Sequence, residues 1–132
     1  MKSFSVTTER RAQFVDITAQ VCRAVADSGV SSGVCYVYVP HTTAGLTINE
    51  NADPDVVTDI LGHLEKLVPC SANFRHAEGN SDAHIKASMM GFETNMIIED
   101  GALLLGRWQG VYFCEFDGPR NRTVHVQVMG AK

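Results

Sequence analysis

From Glu93 to Met129 the chain is a succession of short β-type runs separated by turn residues. The runs are Glu93–Ile98, Ala102–Leu105, Trp108–Asp117 and Thr123–Met129, rich in β-branched and aromatic residues. Glu99-Asp-Gly101 and Asp117-Gly-Pro-Arg120 have the composition of tight turns. Strands this close in sequence follow hairpin order, so the C-terminal part of the chain is predicted to be largely antiparallel.

The preceding residues add helices. Ile17, Val21, Ala24 and Val25 form one apolar stripe, with Asp16 as the cap and Gly29 as the stop. Asp53-Pro54 reads as the N-cap and first residue of a second helix reaching about Val68. Its Val56, Val57, Ile60, Leu61, Leu64, Leu67 and Val68 share one face. Ala83 to Met90 is a short helix candidate ended by Gly91. Phe4–Thr8 and Leu46–Ile48 are further strand candidates, and Gly33–Pro40, apolar on both faces, reads as an inner strand. Two main helices and about seven strands predict a single α+β domain over residues 1–132, with a mixed, mostly antiparallel β-sheet.

The net charge of −4 argues against a nucleic-acid binder, although a local basic pocket for a phosphorylated ligand is compatible with it. No run approaches the roughly 18 apolar residues of a membrane span, and Met1 to Arg11 has no apolar leader core. A cytoplasmic protein is expected. Cys22, Cys35, Cys70 and Cys114 are far apart with no C-x-x-C pair, so free, mostly buried thiols are expected.

Two polar runs carry the candidate chemistry. His76-Ala-Glu-Gly-Asn-Ser-Asp-Ala-His84 places two imidazoles and two carboxylates around a Gly turn. His41-Thr-Thr-Ala-Gly-Leu-Thr-Ile-Asn-Glu-Asn-Ala-Asp53 has the same character, which suggests one shared site. His76 and His84 are eight residues apart, a spacing for a folded loop and not for a helical zinc pair. His41 is a candidate third ligand; surface histidines beside acids are the alternative reading. His63 at the edge of its helix's apolar face reads as a packing histidine, and His125 as part of a solvated strand face. Asp53 is explained by capping, whereas Glu50 is either a general base, a partner of a ligand histidine or a solvated carboxylate. Thr42 and Thr43 offer hydroxyls beside His41, with strand structure as the plainer role. Glu115 alternates with Val111 and Phe113 on an apolar face, where a carboxylate is either paired or functional. Arg120, Arg122 and Lys86 form either an anion pocket or a solvated charge set. Trp108 reads as core or subunit interface.

His41-Thr-Thr-Ala, Asn49-Glu50 with Asp53-Pro54, Ala83-His84-Ile-Lys-Ala, Gly101 with Leu103-Leu-Leu-Gly106, Trp108-Gln109 and Asp117-Gly-Pro-Arg120-x-Arg122 occur in an order that resembles the YjbQ family over nearly the whole chain. The resemblance implies an α+β homotrimer and an activity labelled secondary thiamine-phosphate synthase. It also implies a histidine-lined site with a divalent, zinc-like metal, carried here onto His41, His76 and His84. Asp82 departs from members with a second His at that place, and Arg107 stands where many relatives have Thr.

Three functions follow as expectations. The first is a transferase joining a pyrimidine pyrophosphate to a thiazole phosphate. Lys86 would assist as a catalytic cation, with Arg120, Arg122, Thr42, Thr43 and Asn49 on phosphate. Such chemistry ordinarily uses Mg²⁺ on oxygen ligands rather than zinc on histidines. The second is zinc-assisted hydrolysis with Glu50 or Glu115 as base. The third is a trimeric metal or small-molecule binder without turnover.

Overall fold

In the computed structural model, which describes residues 1–132, eight strands and three helices occur in the order β1 (Lys2–Thr7), β2 (Gln13–Asp16), α1 (Thr18–Ser28), β3 (Gly33–Tyr38), β4 (Ala44–Glu50), α2 (Pro54–Leu67), α3 (Ser81–Met90), β5 (Glu93–Glu99), β6 (Ala102–Leu103), β7 (Gln109–Glu115) and β8 (Asn121–Gly130). The α+β expectation holds. The mostly antiparallel pairing holds too, and is complete: β1-β8-β3-β5-β6 form one sheet, β2-β7-β4 a second, and every strand pairing is antiparallel, so neither sheet is mixed.

Local chemistry explains the elements. Glu99 pairs with Ala102 across a two-residue turn in which Asp100 and Gly101 have φ of 53° and 77°. Asp and Gly tolerate that left-handed conformation, and its twist matches that of the flanking strands. Asp53 accepts the Asp55 N–H (2.9 Å) and Pro54 opens α2, as its sequence signal predicts. Asp16 accepts the Thr18 N–H (2.9 Å) from just outside α1.

β7 divides the interior by its period of two. Val111 and Phe113 face the larger sheet, in a core with Cys35, Val37, Leu46, Val124 and Val126. Ile17, Val21, Ala24 and Val25 of the first helical stripe enter the same core. Tyr112, Cys114 and Phe116 point the other way, onto Leu64 of α2 and Ala83 and Ala87 of α3. The layers are therefore the five-stranded sheet, the core with α1, the three-stranded sheet, and α2 with α3.

Several expectations need correction. Gln13–Asp16, a stretch with no strand expected in it, is a strand paired with β7. The apolar face of α2 is only partly covered: Leu64 is buried, Val57, Ile60 and Leu61 are half-buried, and Leu67 is exposed. Trp108 is 53% exposed and lies under the Arg107 guanidinium, 4.7 Å from the ring centroid, so it is not core. Cys22 and Cys70 are exposed, so only Cys35 and Cys114 are buried thiols. His63 is exposed on α2. His125 does lie on the outer face of the larger sheet, where it stacks on Tyr38 and meets Ser3 Oγ at 2.7 Å. β3 is central in its sheet, yet its outward Tyr36 and Tyr38 are exposed, together with Ile97 and Met129.

β3, β7 and the starts of β4, β8 and α3 all open toward one end of the sandwich, which gathers Pro40–Thr43, Asp117–Arg122 and Asn80–His84.

A polar cleft at one end of the sandwich

An open cleft of about 440 Å³ lies at that end, and no hydrophobic residue lines it. His41, Thr42 and Thr43 come from the β3–β4 connection, His76, Glu78, Asn80 and His84 from the loop before α3 and its first turn, and Asp117, Arg120 and Arg122 from the β7–β8 connection. The two polar runs thus meet in part. Asn49 and Glu50 do not join them. They sit at the far end of β4, seven residues long and so about 20 Å from its start, opposite Gly110 and Gln109.

The floor is built on Glu115. This carboxylate is fully buried and accepts from Thr8 Oγ1 (2.8 Å), Arg122 Nε (2.9 Å), Arg122 Nη2 and the N–H groups of Phe116 and Asp117 (both 3.1 Å). Burial pushes its pKa up, but the hydrogen bonds from Arg122 and Thr8 outweigh burial and hold it below the usual carboxylate range. A base with all its lone pairs occupied cannot take a substrate proton, so Glu115 orients Arg122. Arg122 Nη2 also donates to Thr43 Oγ1 (2.8 Å), and Nη1 is the end left for the cleft.

His41 is oriented by the backbone. Thr123 N–H donates to its Nε2 (2.9 Å), which leaves the ring hydrogen on Nδ1. Burial, then the Arg122 charge, lower the His41 pKa. The ring is thus a neutral donor.

The opposite wall is α3. The His76 and His84 rings meet edge to face with centroids 5.4 Å apart, and Glu78 Oε2 lies 3.9 Å from His76 Nε2. Asn80, 8% exposed, donates to Asp117 Oδ2 (2.9 Å), and its own Oδ1 has no partner. Asp117 can only accept, so the amide cannot be reversed. Arg120 is held by the same carboxylate (3.0 Å) and by the Asp117 carbonyl (2.8 Å).

Lys86 is not in the cleft. It is 2% exposed and donates to Asp82 (3.0 Å) and Glu65 (2.9 Å). Asp82 is fully buried and also accepts both Arg11 amino groups at 2.9 Å. Burial raises its pKa, but Arg11 and Lys86 together drive it far below the usual range. Asp82 is therefore an ion-pair partner inside the protein and not an oxygen ligand replacing a histidine. Arg11 also accepts the Gly118 N–H on its carbonyl (3.0 Å), so one residue joins the α3 wall to the 117–120 wall. A Cβ on Gly118 would lie 2.2 Å from Arg10 O, which explains the glycine in that turn.

The expected metal meets an incomplete donor set. No group of three or more His, Cys, Asp or Glu side chains stands close enough to hold an ion. His76 and His84 are neighbours, but the His41 Nε2 lone pair is committed to Thr123. These donors do not fit a three-histidine zinc centre.

Arg11 and Thr8 carry no sequence signal that singles them out for the site, and Asp117 is marked only as part of the Asp117-Gly-Pro-Arg120 motif. Glu78 and Asn80 were within the histidine-rich run and could be found there.

Known proteins are similar to this chain over nearly its whole length. The chain is 52% identical over 129 residues to the UPF0047 protein MJ1081 of Methanocaldococcus jannaschii, covering 98% of this chain and 94% of that one. It is 47% identical to YugU of Bacillus subtilis, covering 98% and 99%. A crystal structure of an uncharacterised YjbQ/UPF0047 protein from Clostridium acetobutylicum superposes with a TM-score of 0.97 at 56% identity, covering 98% of this chain and 100% of that one. A YbjQ-like protein of unknown function from Sulfolobus solfataricus gives 0.95 at 33% identity, covering 98% and 96%. The family model described as UPF0047 protein YjbQ-like matches residues 2–131, and the chain belongs to that family.

Proposed function

We propose that the cleft binds a phosphorylated small molecule and that His76 and His84 move protons at it. The observation that carries this reading is the gathering of anion donors at one place in an acidic protein: the His41 Nδ1–H, the free ends of Arg120 and Arg122, and the Thr42 hydroxyl. The N-terminus of α3, which begins beside Asn80, adds a favourable dipole. The unpartnered Asn80 Oδ1 calls for a donor, which an ionised phosphate lacks, so a ligand that meets it does so with an N–H or O–H elsewhere on the molecule.

The specific reaction proposed is thiamine-phosphate formation, as a weak or secondary activity. The thiazole nitrogen attacks the pyrimidine methylene carbon, the carbon–oxygen bond breaks, and pyrophosphate leaves with the electron pair. Arg120 and Arg122 would receive that charge, and the histidine pair would protonate the departing oxygen. Glu115, Lys86, Glu50 and Asn49 have no part in this reading. Zinc-assisted hydrolysis is not carried forward, because the donor set does not support it.

The test is product formation from the pyrimidine pyrophosphate and thiazole phosphate by purified protein. Arg120→Ala is expected to abolish it while melting is unchanged. If both proteins make no product yet bind inorganic phosphate, the chain is a binder rather than a transferase. If wild type binds no phosphate, the reading fails.

A cytoplasmic homotrimer is part of the same proposal. No helix is long and apolar enough to cross a membrane. The outward face of the larger sheet, with Tyr36, Tyr38, Ile97 and Met129, is the surface that a second copy would cover. Light scattering on wild type and Tyr38→Glu checks it.

A further inference from the structure

The histidine pair is a wall with two sides. His76 and His84 line the polar cleft, and the same two residues line a second groove of about 410 Å³ with Phe74, Arg75, Ser81 and Ile85. That groove continues along α3, where His84, Ile85, Ser88 and Met89 border a further hollow. The helix is unusual in carrying apolar side chains on both sides. Ala83 and Ala87 face the interior, whereas Ile85 and Met89, one turn apart, are 38% and 48% exposed. A solvent-facing turn of a short helix has no structural need for Ile and Met.

We infer that the cleft and the α3 groove are two parts of one ligand site, with a phosphate or pyrophosphate head among Arg120, Arg122 and His41 and an apolar, ring-bearing body against Phe74, Ile85 and Met89. The junction of head and body falls at His76 and His84. The occupant of the groove is taken to be the same molecule because the two hollows share those residues. Arg75 at the groove rim leaves room for a second polar group on the body. This inference rests on the phosphate reading of the cleft.

The test compares inorganic phosphate, methyl phosphate and phenyl phosphate by calorimetry on wild type and on Ile85→Ser/Met89→Ser, both positions being exposed and outside the core. Wild type is expected to prefer phenyl over methyl phosphate by about tenfold, the value of a partly covered ring. The double variant is expected to lose that preference while its methyl phosphate affinity is unchanged. Equal affinities for the two esters in wild type overturn the inference and leave the phosphate reading standing. A preference that survives in the double variant also overturns it. So does a change of oligomeric mass in the double variant, which would make the α3 face a contact between copies. Absence of binding by all three probes removes the phosphate reading and this inference together.

Discussion

Replacing Glu115 by Gln tests whether the cleft floor is held by a buried charge pair. Five donors converge on this carboxylate from Thr8, Arg122, Phe116 and Asp117. A Gln amide keeps one acceptor oxygen and turns an NH₂ toward donors that need an acceptor. At least one buried N–H then lacks a partner, at a cost of about 1–3 kcal/mol. The Arg122 guanidinium, 6% exposed, also loses its counter-charge. Breaking a buried pair from one side costs about 3–5 kcal/mol in all. For a domain of this length that is a fall in Tm of roughly 10–18 °C. The double variant Glu115→Leu/Arg122→Met removes both charges and should lose less than Glu115→Gln alone, because its chief unpaired group is the Asp117 N–H. Calorimetry and urea unfolding measure both. The sign with pH follows from the lowered Glu115 pKa. Its stabilisation is complete above the ordinary Glu value of about 4.3 and is lost as pH falls below it. The acid limb of the stability curve should therefore flatten in Glu115→Gln. A Gln variant within about 1 kcal/mol of wild type, or singles that simply add in the double, would refute the reasoning.

Asp82→Ala should destabilise by about 3–5 kcal/mol, since it leaves buried Lys86 with only Glu65 and frees Arg11; unchanged urea midpoints would show that the cluster is energetically idle. His41 should titrate below the ordinary histidine value of about 6.5 and carry its hydrogen on Nδ1, as nitrogen-detected NMR can establish. Its neutral-state contribution to stability is present above that pH and lost as pH falls through it, and an Nε2–H tautomer would contradict the geometry. Protein purified without chelator should carry well under one zinc per chain by elemental analysis. A stoichiometric ion would mean that His41 leaves Thr123 or that another copy supplies a ligand.

The signals that could be read from the chain were local ones. Asp100-Gly101, Asp53-Pro54 and the Ile17–Val25 stripe each specify backbone geometry within a few residues, and each forms as expected. Glu115 was legible as a paired or functional carboxylate from strand alternation alone, but its partner choice depended on where β8 lies. His41, His76 and His84 line one cleft but do not form the expected metal-holding group, and the state of the His41 ring was not legible. That state depends on the Thr123 N–H, 82 residues away, and so on the placement of β8 beside the β3–β4 connection. Lys86 resembled a free cation because its second carboxylate, Glu65, belongs to another helix. Asn49 and Glu50 seemed to belong with His41 because proximity along a chain was taken for proximity in space, and an extended strand carries them away. The division into two sheets was equally hidden, since four residues of β2 show no clear alternation.

Arg11 pins both walls of the cleft at once, by its side chain on one and its carbonyl on the other. An aperture braced in this way presents nearly the same gap whether or not anything occupies it. Capture of the proposed phosphorylated ligand would then require little reorganisation, and arrival rates should differ little among competing ligands. Selectivity would show instead in residence time, which stopped-flow competition reads directly.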